Sequence, residues 1–163
     1  IDFIAAGYTI KDERLLTMDF SQTYFTAVQV VLVQEGTSDI ATADDLAEKK
    51  VGVQNGTTGD FTVSDICDPE NVSRYDNIML AAQDLQNGKI DAVVCDDLPA
   101  AYLLGSMDGM KKIDSIVFDN EEYAIAVKKG QNAELLKAIN DVLSEMKESG
   151  KIDELVSKYS LGQ

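Results

Sequence analysis

The chain has 163 residues, with 14 Lys+Arg against 29 Asp+Glu, a formal charge of −15, and no His. That length suits one ordinary domain or two small lobes, and 45% hydrophobic with 26% charged residues marks a globular chain rather than a disordered one. The charge repels phosphate backbones and excludes nucleic acid as a partner. Zero His removes imidazole bases, Ser-His-Asp triads and the commonest zinc ligand, and two cysteines cannot build a metal knuckle.

The chain opens without an initiator Met on the apolar run Ile1–Ala6, a strand already under way, and is read as a processed chain or a fragment whose signal peptide is gone. Gly7-Tyr8-Thr9 breaks that run, and Lys11–Arg14 is a loop or a single turn. Tyr24–Gln34 is rich in β-formers and reads as one long strand, interrupted only by the polar Gln29. Thr42-Ala43-Asp44-Asp45 has capping-box spacing and starts a short helix ending near Lys49-Lys50. A regular alternation follows. Strands are expected at Lys50–Gln54, Val72–Tyr75, Ala92–Cys95 and Ile113–Phe118. Helices are expected at Asp60–Cys67, from Asn77 to Gly88, and after Asp97 with Pro99 in the first turn. Such alternation implies βαβ units and a parallel sheet. Tyr123–Lys129 is another strand. Asn132 caps the longest helix, in which Leu135, Ile139, Val142, Leu143 and Met146 form one apolar stripe. Gly150 ends that helix and Lys151–Tyr159 forms the last one.

Two turns at the carboxyl edge of the expected sheet carry chemistry, because ligands of open α/β sheets bind at that edge. Gly56-Thr57-Thr58-Gly59 joins a strand to a helix. It is either an anion site of N–H groups and two hydroxyls or an ordinary turn with a Thr cap. No Gly-Lys-Ser/Thr follows, so it is not a P-loop. Cys95-Asp96-Asp97 closes a neighbouring strand, where a carboxylate either holds an ammonium group or caps the next helix. Together the two turns are complementary to a zwitterion. Arg14 is either a solvated surface charge or a bidentate carboxylate clamp. Cys95 ends a strand at one edge and Cys67 ends a helix returning ~12 Å toward the other. Bridged Cα atoms lie within ~7 Å, so two buried thiols are expected.

Ile1-Asp2-Phe3-Ile4-Ala5-Ala6-Gly7-Tyr8-Thr9-Ile10 running to Arg14, with Met18-Asp19-Phe20-Ser21 and Tyr24-Phe25, resembles the amino-acid-binding proteins of ABC importers. Val51–Gly59, Gly88–Asp96, Tyr123–Gly130 and Ser149–Tyr159 match further blocks of that family in the expected order, so the resemblance covers the whole chain. It implies an α/β type II periplasmic-binding-protein fold with one complete doubly wound lobe and an incomplete first lobe, joined by two crossing strands near 24–34 and 115–127. Residues 1–29 and 119–163 would form the first lobe and 30–118 the second. Family members begin with a further βαβα stretch on the order of sixty residues, too long for a single connection.

The resemblance also implies a function. The protein would capture an L-amino acid between two lobes and deliver it to an ABC permease in the membrane. It would work outside the cytoplasm, in the periplasm or lipid-anchored at the cell surface. No cofactor, metal or enzymatic activity is expected. Arg14 would clamp the ligand α-carboxylate beside Gly7 and Thr9, Thr57 or Thr58 would donate to the same carboxylate, and Asp96 would take the α-ammonium. Lys11 stands where the family usually has Thr, and Ala6 where some members have Ser. Two alternatives share the fold: an enzyme like the cyclohexadienyl dehydratases, which the Arg14–Asp96 pair argues against, and the sensor domain of a receptor. A first lobe stripped of neighbours is also expected to leave the Ile1–Ala6 strand uncovered and to favour self-association.

Overall fold

The computed structural model describes residues 1–160, so the last three residues of the expected 119–163 segment lie outside the described residues. The chain divides into two compact units, one of Ile1–Ala27 with Asn120–Tyr159 and one of Val28–Asp119.

The second unit is built on β3 (Phe25–Gln34) from Val28 onward, β4 (Val51–Gln54), β5 (Val72–Tyr75), β6 (Ala92–Asp96) and β7 (Met110–Lys112). The helices α2 (Thr58–Ile66), α3 (Ile78–Gln86) and α4 (Asp97–Ser106) connect them. β4 pairs in parallel with β5 and β6, whereas β3 runs antiparallel to both β6 and β7. The sheet is therefore mixed. The expected parallel order holds for β5, β4 and β6 and stops at β3. Alternate residues point to opposite faces, and both faces are covered. Val31, Val33, Val51, Val53 and Val94 pack with Leu46 and Val63 on one side. Val30, Leu32, Val93 and Cys95 pack with Ala81, Leu85, Ala100 and Leu103 on the other. This explains why the strands read as near-continuous apolar runs rather than alternating ones.

Local signals act as their chemistry dictates at Asn77, whose side chain accepts from the Met79 N–H and starts α3. Thr42 and Asp45 do form a capping box, but the turn they start is a short 3₁₀ segment, Ala43–Leu46. The expected strand at Ile113–Phe118 does not form. β7 ends at Lys112, and the Ile113 N–H makes a last bond to Val31 O. Beyond it Ile113, Ile116 and Phe118 pack on the core, a spacing that no strand can present to one face. Ser115 Oγ then holds the segment to Ala41 O.

In the first unit, β8 (Asn120–Lys128) pairs antiparallel with β1 (Phe3–Thr9) and with β2 (Met18–Phe20). The single-turn α1 (Asp12–Leu15) lies between β1 and β2 in sequence. The register of β1 slips between Ile4 and Tyr8, where Gly7 adopts φ +58. A Cβ there would also stand 3.0 Å from the Tyr123 ring, so this bulge needs glycine on two counts. β1 is the last strand in order. Its burial is slight, with Phe3 48% exposed. The helix α5 (Ala133–Glu148) is tied to the loop before β3 by polar bonds: Gln22 N donates to Asn140 Oδ1 and Gln22 Nε2 to Asn140 O, each at 2.8 Å. α6 (Lys151–Ser160) follows. One expectation about α5 fails, and its stripe holds at Leu135, Ile139, Leu143 and Met146 but not at Val142. Asn132 precedes the helix in a left-handed conformation (φ 59) and makes no side-chain cap bond. Leu143 is the buried position of the stripe, whereas Val142 is exposed.

Candidate functional site

The turn from β4 into α2 is fixed from within. Thr57 Oγ1 accepts from Asp60 N at 3.3 Å and donates to Gln54 O at 2.8 Å, so Thr57 is the N-cap of α2. Asp60, itself buried, accepts the Gly56 N–H at 3.0 Å and pairs with Arg74 Nε at 2.9 Å. One main-chain donor of the expected anion site is thus committed to the chain. Thr58 is buried, and its hydroxyl accepts from Gln29 Nε2 at 3.1 Å.

Asp96 ends β6 and occupies the N-cap position of α4 without a side-chain cap bond. Its Oδ1 instead accepts from Gln29 Nε2. A cavity of about 50 Å³ is lined by Gln54, Thr57, Ile78, Cys95, Asp96 and Pro99. Thr57 and Asp96, from neighbouring βα turns, therefore meet at one opening, and Thr58 joins them through Gln29. Burial, reinforced by the charges of Asp96 and Asp97, pushes the Cys95 thiol up to about 12. Cys67 is raised by burial and by Asp68. Both cysteines are free and buried, and neither is a thiolate near neutrality.

The other expected residues lie in the first unit. Arg14 Nη1 donates to Thr9 O at 2.9 Å, and the guanidinium lies 4.0 Å from the centre of the Tyr8 ring. Tyr8 in turn stacks on Phe20, with ring centres 5.9 Å apart. Among the described residues Arg14 makes no ion pair, so a half-buried cation is held in place with most of its donors uncommitted to carboxylates. Thr9 Oγ1 donates to Glu121 Oε2 at 2.8 Å, and Gly7 N donates to the Tyr24 hydroxyl at 3.2 Å. Burial raises the Tyr24 phenol, and the bond from Gly7 partly offsets this.

The six expected site residues thus fall into two sets: Gly7, Thr9 and Arg14 in one unit, Thr57, Thr58 and Asp96 in the other. Sequence reasoning missed Gln29, which links two of the second set. Its signal was a lone polar residue inside the apolar run Ala27–Val33.

The profile of the bacterial extracellular solute-binding proteins, family 3, matches residues 1–163. The chain belongs to that family. It is 40% identical, over 97% of its own length, to a probable histidine-binding protein of Neisseria gonorrhoeae. It is 35% identical, over 98% of its length, to the L-cystine-binding protein TcyJ of Escherichia coli. It spans 60% of the length of each of these relatives. Among solved structures, an ancestral arginine-binding protein bound to glutamine superposes with a TM-score of 0.89 at 39% identity, covering 100% of this chain and 72% of that one. The similarity supports the α/β type II binding-protein fold implied by the motifs.

Proposed function

We propose that the protein captures an L-amino acid outside the cytoplasm and hands it to an ABC permease. The observation that carries this reading is the meeting of Thr57 and Asp96 at one cavity, a helix N-terminus beside a carboxylate. That pairing suits a zwitterion: helix N–H groups and hydroxyls favour the α-carboxylate, and Asp96 favours the α-ammonium. In this reading Arg14, with Gly7 and Thr9 beside it, addresses the same α-carboxylate and Thr58 donates to it, while the Thr57 hydroxyl, whose proton goes to Gln54 O, caps the helix. Residues 30–118 are read as the second lobe, and residues 1–29 and 119–163 as an incomplete first lobe. The relatives are named for binding amino acids, which favours a binding protein over an enzyme.

The experiment is isothermal calorimetry on the complete gene product against the standard L-amino acids and cystine. Tight, saturable binding of one or a few of them is expected. No binding to any of them, or turnover of prephenate or arogenate, overturns the reading.

A further inference from the structure

We infer that Gln29 is the positioning residue of this site, aligning Asp96 for a ligand ammonium and Thr58 for a ligand carboxylate with a single amide group. The inference rests on the binding reading above. Gln29 is only 1% exposed and does not line the cavity that Asp96 opens on. It sits directly opposite Asp96 in the β3–β6 ladder, so the two side chains rise from the same face of the sheet. The amide nitrogen has two N–H groups. Both point at candidate ligand-binding residues, Thr58 Oγ1 on α2 and Asp96 Oδ1 on β6. Three elements therefore converge on one buried side chain.

Space for it comes from Gly59. A Cβ at Gly59 would stand 2.7 Å from Gln29 Oε1 and 3.2 Å from Val94 O. A side chain there would force Gln29 Oε1 to shift. The chemistry of the two bonds is directional. Donation to Asp96 favours the ionised carboxylate and holds its rotamer. Donation to Thr58 occupies the acceptor side of the hydroxyl, so its own proton must be given elsewhere than to Gln29. A hydrophobic residue would suit the surrounding Val30–Val33 run better, because a buried amide is costly unless bonded. What Gln29 adds is the donor and acceptor sense of both partners.

The test compares the complete gene product with its Gln29→Met and Gln29→Glu variants. The amino acid bound by the parent is titrated by calorimetry alongside its 2-hydroxy-acid analogue, which keeps the carboxylate and lacks the ammonium. Gln29→Met, nearly isosteric but without donors, is expected to weaken amino-acid binding about tenfold or more. It should also narrow the preference for amino acid over hydroxy acid by a similar factor. Gln29→Glu places a second carboxyl against Asp96, and two such groups share a proton. Its affinity should therefore vary with pH between about 5.5 and 8, where the His-free parent is expected to be flat. A merely structural role weakens both ligands alike and leaves the pH profile flat. An unchanged preference in Gln29→Met, or a flat profile in Gln29→Glu should the Met variant not fold, overturns the inference while the binding reading stands. A parent that binds no amino acid overturns both.

Discussion

The two units rest on different kinds of support. In the Val28–Asp119 unit, β4 and β6 are paired on both sides, and the two faces of the sheet carry separate apolar clusters. In the other unit, β8 is paired on both sides but β1 is the terminal strand, with Phe3 half exposed. Its longest helix is held partly by the Gln22, Asn140 and Ser144 network rather than by burial alone. One unit has a core that excludes water from both faces of its sheet. The other ends in an open strand edge at β1. A candidate residue in the first kind of environment is held by its surroundings; one in the second depends on local bonds such as the Tyr8–Arg14 stack.

The largest expected contrast is in stability. Leu32→Ala, at a fully buried position between α3 and the sheet, should cost about 2–5 kcal/mol in chemical denaturation. Leu16→Ser, at an exposed position of the other unit, should stay within about 0.5 kcal/mol. Equal costs would mean that the two units are not differently packed. Next in size is ligand binding by the complete gene product. Asp96→Asn should lose about 1.5–3 kcal/mol through a charge-assisted bond, and calorimetry showing no change would remove Asp96 from the site. Arg14→Lys should lose at least about 1 kcal/mol, because an ammonium cannot reproduce the guanidinium fork. A Lys variant that binds like the parent would make Arg14 a surface charge.

A smaller effect follows from Cys95. Its folded-state thiol is raised from 9.0 to about 12, mainly by burial. The unfolded chain therefore ionises first as pH rises, and folding stability should decline from near pH 9 until the folded thiol ionises near 12. Below pH 9 the contribution is fully present. Denaturation of Cys95→Ala across this range should show a shallower decline, and an identical slope would contradict the assignment. Least in energy is the edge of β1. The 163-residue chain by itself should associate through that open strand, and light scattering that shows a clean monomer at all concentrations would remove the contrast between the units at this point.

Much of the organisation was legible in the chain itself. Asn77, Val72–Tyr75 and the Thr57 turn form as their local chemistry dictates, because capping and β-propensity act over a few residues. The positions of the two kinds of candidate residue, a hydroxyl-bearing helix start and a strand-end carboxylate, were legible for the same reason. Other features were not. Ile113–Phe118 has strand composition, yet Ile113, Ile116 and Phe118 serve the core from an irregular segment, since the sheet had no ladder left for them beyond Lys112. The direction of β3 was equally silent, because an apolar run reads the same whether its neighbour is parallel or antiparallel.

Gln29 marks the division most sharply. From sequence it is one polar residue in a hydrophobic strand, and nothing local says where its amide points. Only the antiparallel register that sets it opposite Asp96, and the glycine that lets α2 come close, give that amide its two acceptors. Sequence by itself determined which residues could bind charge, because that is a property of each side chain and its immediate turn. Tertiary structure decided which of them share a partner, because hydrogen bonds between β3, α2 and β6 depend on strand direction and close packing, which no short stretch of chain encodes.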